Sequence, residues 1–187
     1  MTVHQPLPPG KYRLTVDDYL RLHDAAAFGD ARTELLEGDV FLMSPMHRRH
    51  GRAVTGLLIA IDAALRSAEL SAKVLGGVSV AMPPHNVPEP DLLITSDPDG
   101  DGLVPLASVL LIAEVSDSTL ASDLSFKHAL YAAAGVPEYW VVDVRNAVIH
   151  QMWRPVDEEY AERRVVGFGE PLTAATLSNL TVPTTGL

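Results

Sequence analysis

The run Val109-Leu110-Leu111-Ile112-Ala113-Glu114-Val115 constrains the fold of this chain more than any other segment. It is apolar at every position but one, without the alternation of a strand that has one face in water. Such a strand must be covered on both faces, which calls for a sheet with a layer packed on each side. Glu114 is the exception in the run. A carboxylate there is costly unless it stands at the strand's exit, is paired, or binds a cation.

The neighbouring segments supply the layers. Leu92-Leu93-Ile94 is a short strand entered at Asp91, behind the turn-rich PPHNVPEP, and Tyr139-Trp140-Val141-Val142-Asp143 is another buried strand. From Arg49 to Leu70 the apolar positions Val54, Leu57, Leu58, Ile61 and Leu65 follow helical spacing and predict the longest helix. Residues 123–134 predict a second helix, ended by Gly135 with Pro137 beyond it. Thr15 with Asp18 three residues later is a capping pattern for an N-terminal helix. A tight Gly38-Asp39 turn leads into a strand over Val40–Met43. Val74 to Met82 reads as one strand, bulged or bent at Gly76-Gly77. Ala147–Trp153 and Tyr160–Phe168 read as a terminal hairpin. The fold class is therefore α/β or α+β: a mixed central sheet flanked by helices, with an added N-terminal helix and C-terminal β-hairpin. One domain over 12–187, behind a Pro/Gly-rich arm over 1–11, accounts for the length.

The absence of cysteine excludes a disulfide scaffold, a thiolate nucleophile and any cysteine-bound metal. The start has no apolar signal-peptide core, and Leu103–Ala113 is too short to span a bilayer, so the expectation is a cytoplasmic protein without membrane contact. The net charge of −10 is concentrated in residues 61–150, with twelve acidic and four basic side chains. Such a chain binds nucleic acid poorly by charge alone. The acid-rich centre fits either a divalent-cation site or a solvated surface.

Asp91 and Glu114 both stand at ends of apolar strands. If the strands are neighbours, their oxygens can converge on a hard cation such as Mg²⁺, which favours carboxylates and keeps several waters. Asp123, Lys127 and Tyr131 follow at i, i+4 and i+8 on one helix face. An exposed Asp–Lys pair is the plainer explanation. Against it, only Lys11, Lys73 and Lys127 among fourteen basic residues are lysine, and a compact ammonium can orient a water where a guanidinium cannot. Arg48, Arg49, His50 and Arg52 open the long helix as candidate phosphate contacts, or simply as its exposed polar start. The remaining histidines lack zinc-ligand spacing.

These residues resemble the Uma-two family of restriction-endonuclease-like proteins. The resemblance rests on Glu114-Val115-Ser116-Asp117-Ser118-Thr119 followed by Asp123, Lys127 and Tyr131, and on Ala134-Gly135-Val136-Pro137-Glu138-Tyr139-Trp140-Val141-Val142-Asp143. Upstream, Glu34-Leu35-Leu36-Glu37-Gly38, Met43-Ser44-Pro45, His50 and Pro90-Asp91 fit in the same order, so that residues 12–182 are covered. The resemblance implies a PD-(D/E)XK nuclease-like core that hydrolyses DNA. Asp91, Glu114 and Glu34 would hold Mg²⁺ or Mn²⁺, Lys127 would serve the attacking water, and Tyr131 would support Lys127. Ser116 occupies the place two residues after the acid where that superfamily expects its lysine, and Lys127 matches a lysine displaced onto the following helix. A non-catalytic binding or regulatory module on the same fold is the alternative. Apolar groups on both faces of Ala147–Trp153 add the expectation of a homodimer.

Overall fold

A computed structural model describes residues 10–187, so that most of the arm expected over 1–11 lies outside the described residues. In chain order the elements are α1 (Val16–Asp24), β1 (Thr33–Leu36), β2 (Asp39–Leu42), α2 (Arg48–Ser67), β3 (Lys73–Gly76), β4 (Val80–Ala81), β5 (Leu92–Thr95), β6 (Val104–Pro105) and β7 (Val109–Ser116). There follow α3 (Leu120–Ser122), a π turn over Asp123–Lys127 that runs straight into α4 (His128–Ala133), then β8 (Glu138–Asp143), β9 (Val148–Val156), β10 (Glu159–Gly167), β11 (Leu172–Thr173) and β12 (Thr181–Val182). The main sheet has the order β10-β9-β8-β7-β5-β3. Only β7 and β8 run parallel in it, and the helical segment between them is the crossover that a parallel pair requires.

The β7 run is covered on both faces, as its composition demands. Leu111, Ala113 and Val115 face a cluster built with Leu57, Ile61 and Leu65 of α2 and with Leu172, Leu180 and Val182 from the C-terminal segment. Ile112 faces a second cluster with Tyr131, Tyr139, Val141 and Met152. Glu114 shares the face of Ile112 and therefore looks toward the π turn and α4.

Three expectations need adjustment. The predicted strand Val74–Met82 is two strands, because the chain turns at Gly77, whose φ is +61°; β4 then leaves the main sheet to pair with β6. The terminal hairpin is not an appendage: β9 pairs with β8 and extends the main sheet. Its two apolar faces are also accommodated within the chain, Ile149 in the first cluster and Met152 in the second, so they carry no argument for a second subunit.

The N-terminal elements form a brace. Thr15 and Asp18 make a reciprocal capping box at the start of α1. Tyr19 of α1 donates from its hydroxyl to the Thr33 carbonyl at 2.8 Å. The β1–β2 hairpin turns at Glu37-Gly38, both at positive φ; a Cβ at Gly38 would lie 2.6 Å from Arg13 Cβ, so only glycine fits. Leu35 and Val87 exchange backbone hydrogen bonds, which fix the hairpin against the segment leading to Asp91.

Candidate active site

Glu34, Asp91, Glu114 and Lys127 reach one cavity of about 670 Å³ from four different places in the fold. Glu114 comes from near the end of β7. Asp91 immediately precedes β5, whose Leu92 is the register partner of Ala113. Lys127 closes the π turn, and Glu34 is carried by the hairpin.

Glu114 is buried, and its Oε1 accepts from Lys127 Nζ at 2.8 Å and from the Tyr131 hydroxyl at 2.7 Å. Oε2 takes no hydrogen bond among the described residues and is not sealed off, so it is the oxygen left open to the cavity. Burial pushes the Glu114 carboxyl up to about 7; Lys127 pulls against this, and Asp91 and Asp123 add to it. For Lys127, burial disfavours the charge, but Glu114 and then Glu34 outweigh it and hold the ammonium above its ordinary range. Glu34 Oε1 lies 3.5 Å from that ammonium and accepts the Glu89 backbone N–H at 2.8 Å.

Asp91 is clamped at both oxygens. Oδ2 accepts the Val115 backbone N–H at 2.7 Å, and Oδ1 lies 2.9 Å from His50 Nε2. The His50 pKa is raised, first by that hydrogen bond, with burial opposing it. His50 therefore belongs to the carboxylate pair. The arginines expected beside it, Arg48, Arg49 and Arg52, are exposed and do not line the cavity, and Arg49 lies 3.7 Å from Asp117.

Asp123 departs most from its expected role. It is buried, and its Oδ2 accepts from the hydroxyls of Ser116 and Thr119, each at 2.6 Å. It pins the crossover to the end of β7 and is not an exposed partner for Lys127. The π turn widens the helix where Lys127 and Tyr131 meet Glu114, and such turns recur at functional sites.

Sequence reasoning missed the outer wall. Glu89, paired with Arg32, lines the cavity, as do Phe41, Leu42, Met43, Pro45 and Met46. Their only sequence signs are a Glu between Pro88 and Pro90 and an apolar stretch before the long helix.

Among the described residues no three His, Asp or Glu side chains stand close enough together to hold one ion as they are placed. The donor chemistry nevertheless suits a hard divalent ion. Asp91 and Glu114 offer two carboxylates to one cavity, and one or two carboxylates with waters and a phosphate are what Mg²⁺ takes. Glu34 is turned to Lys127 and the Glu89 amide.

A mixed sheet whose parallel crossover sets a lysine against a buried strand-end carboxylate is a nuclease-type architecture. The chain belongs to the Uma2 family, described as "putative restriction endonuclease", whose model matches residues 16–185. Among solved structures it is similar to a "putative nuclease belonging to DUF820" from Anabaena variabilis ATCC 29413, with a TM-score of 0.65 and 14% sequence identity, covering 89% of this chain and 91% of that one. No curated protein matches the sequence significantly. No described helix is long and apolar enough to cross a membrane.

Proposed function

We propose that the protein is a cytoplasmic, divalent-metal-dependent endonuclease that hydrolyses phosphodiester bonds of DNA. The observation that carries this reading is the contact of Lys127 with Glu114 at 2.8 Å, in a cavity that also receives Asp91. It supplies a lysine beside the strand-end acid although Ser116 holds the usual lysine position. Asp91 and Glu114 would hold Mg²⁺ or Mn²⁺, which when bound supplies charge to a phosphoryl oxygen and acidity to a water. Lys127, held beside Glu114, would orient the attacking water or steady charge on the phosphate. Tyr131 would hold Glu114, and Glu34 would help to hold Lys127. Cutting both strands of a duplex calls for two such sites, so a homodimer belongs to this reading; light scattering that finds only a 20.1 kDa particle removes it.

One observation favours the alternative, a binding or regulatory module. Each carboxylate already has a partner in the protein, Asp91 in His50, and Glu114 and Glu34 together in Lys127. Thermal unfolding with Mn²⁺ or Mg²⁺ separates the two readings: the enzyme's melting temperature rises with either ion, and that of a metal-free module does not. Incubation with DNA substrates in the same ions then tests cleavage directly.

A further inference from the structure

His50 stands where its ring meets Asp91 at the floor of the cavity, and no step proposed above uses it. We infer that His50 is a protein ligand of the divalent ion, through Nε2, and that it gives the site a preference for Mn²⁺ over Mg²⁺. This rests on the reading that Asp91 and Glu114 hold such an ion. Nε2 lies 2.9 Å from Asp91 Oδ1, while Oδ2 of the same carboxylate is held by the Val115 N–H. An imidazole nitrogen and a carboxylate oxygen are thus closed upon each other at one side of the cavity.

The anchoring of the residue limits its movement. His50 lies in the first turn of α2, a 20-residue helix fixed by the buried Ala53, Leu57 and Ile61, and its side chain is 17% exposed. The backbone at His50 is therefore fixed, and the ring is held at the cavity. For Nε2 to bind an ion, the proton that it donates to Asp91 Oδ1 would leave to solvent, after which the nitrogen and the carboxylate oxygen would each offer a lone pair. His47 also lines the cavity, but it is exposed and makes no capping hydrogen bond, so it serves as a control. Mg²⁺ holds to oxygen and retains its waters, whereas Mn²⁺, the first of the divalent transition-metal series though mainly oxygen-bound, takes an imidazole nitrogen beside carboxylates more readily; the nitrogen ligand therefore favours Mn²⁺.

Pulsed electron paramagnetic resonance of the Mn²⁺-loaded protein, with calorimetric titration of Mn²⁺ and Mg²⁺, tests the assignment. The wild type and His47→Ala should show the nitrogen coupling of a directly bound imidazole, and His50→Ala and His50→Phe should lose it. In the two His50 variants Mn²⁺ affinity should fall about ten-fold or more, with Mg²⁺ affinity much less changed. Melting of the metal-free variants checks their fold, and the wild-type spectrum decides even if both are unstable. A wild type that binds Mn²⁺ without nitrogen coupling overturns the inference, as does coupling that survives loss of His50 or unchanged or higher Mn²⁺ affinity in its absence. A wild type that binds neither ion overturns the metal-dependent reading itself, and this inference with it.

Discussion

Glu114 is a buried carboxylate that survives in a strand core because Lys127 and Tyr131 both donate to one of its oxygens. Removing either donor has a distinct consequence. Tyr131→Phe keeps the packing but deletes one hydrogen bond to a charged group, which should cost about 1.5–3 kcal/mol of stability in urea unfolding. Asp123→Ala should behave quite differently from a surface substitution. It strips the Ser116 and Thr119 hydroxyls of their acceptor, and denaturant curves should show a loss of about 1–3 kcal/mol, not tenths. Asp91, Glu114 and Lys127 stand out in the sequence as polar exceptions in apolar patterns or as a rare lysine on a helix, and all three line the cavity. The partners of His50 and Glu34 were not. They are separated from Asp91 and Lys127 by 41 and 93 residues, and periodicity carries no information about contacts across such gaps.

Among the elements, the N-terminal brace links local helix chemistry to the site. The capping box starts α1, Tyr19 ties α1 to β1, and β1 presents Glu34 to Lys127. Thr15→Ala should therefore destabilise the protein by about 1 kcal/mol, as thermal or urea melts will show. The Asp18 carboxyl is drawn down to about 2, first by the Tyr12 hydroxyl and then by the Thr15 backbone N–H and hydroxyl. A lowered folded-state pKa means that its contribution is fully present above the ordinary aspartate value and fades as pH falls through that value toward 2. Acid unfolding of Asp18→Asn should thus lack this part of the wild type's pH dependence. The start of α1, the span of α2 and the core strands were legible because a capping pattern, helical spacing and apolar runs are local. The β1 strand, the break after β3 and the merger of the terminal hairpin with the main sheet depend on pairing partners, which the same local patterns leave open.

At the scale of the molecule, Glu138 holds the C-terminal segment to the sheet. It is fully buried in β8 and has no cationic partner among the described residues; instead it accepts from Trp140 Nε1, Gln151 Nε2, the Ala175 and Thr176 amides and the Thr176 hydroxyl. Glu138→Ala should cost about 3 kcal/mol or more and release residues around 175, visible as faster hydrogen exchange there. That segment covers the α2 side of the sheet, whereas the cavity opens between the hairpin, the start of α2 and the crossover. The fold thus keeps this buried carboxylate and the segment it holds apart from the polar cluster proposed to cut DNA. The claim that this cluster is catalytic is tested most directly by DNA cleavage with Lys127→Ala at a Mn²⁺ concentration that saturates it. The account predicts cleavage at least about 10²-fold slower than wild type, with the ion still bound. Cleavage at the wild-type rate would contradict it and reduce Lys127 to a counter-charge for Glu114.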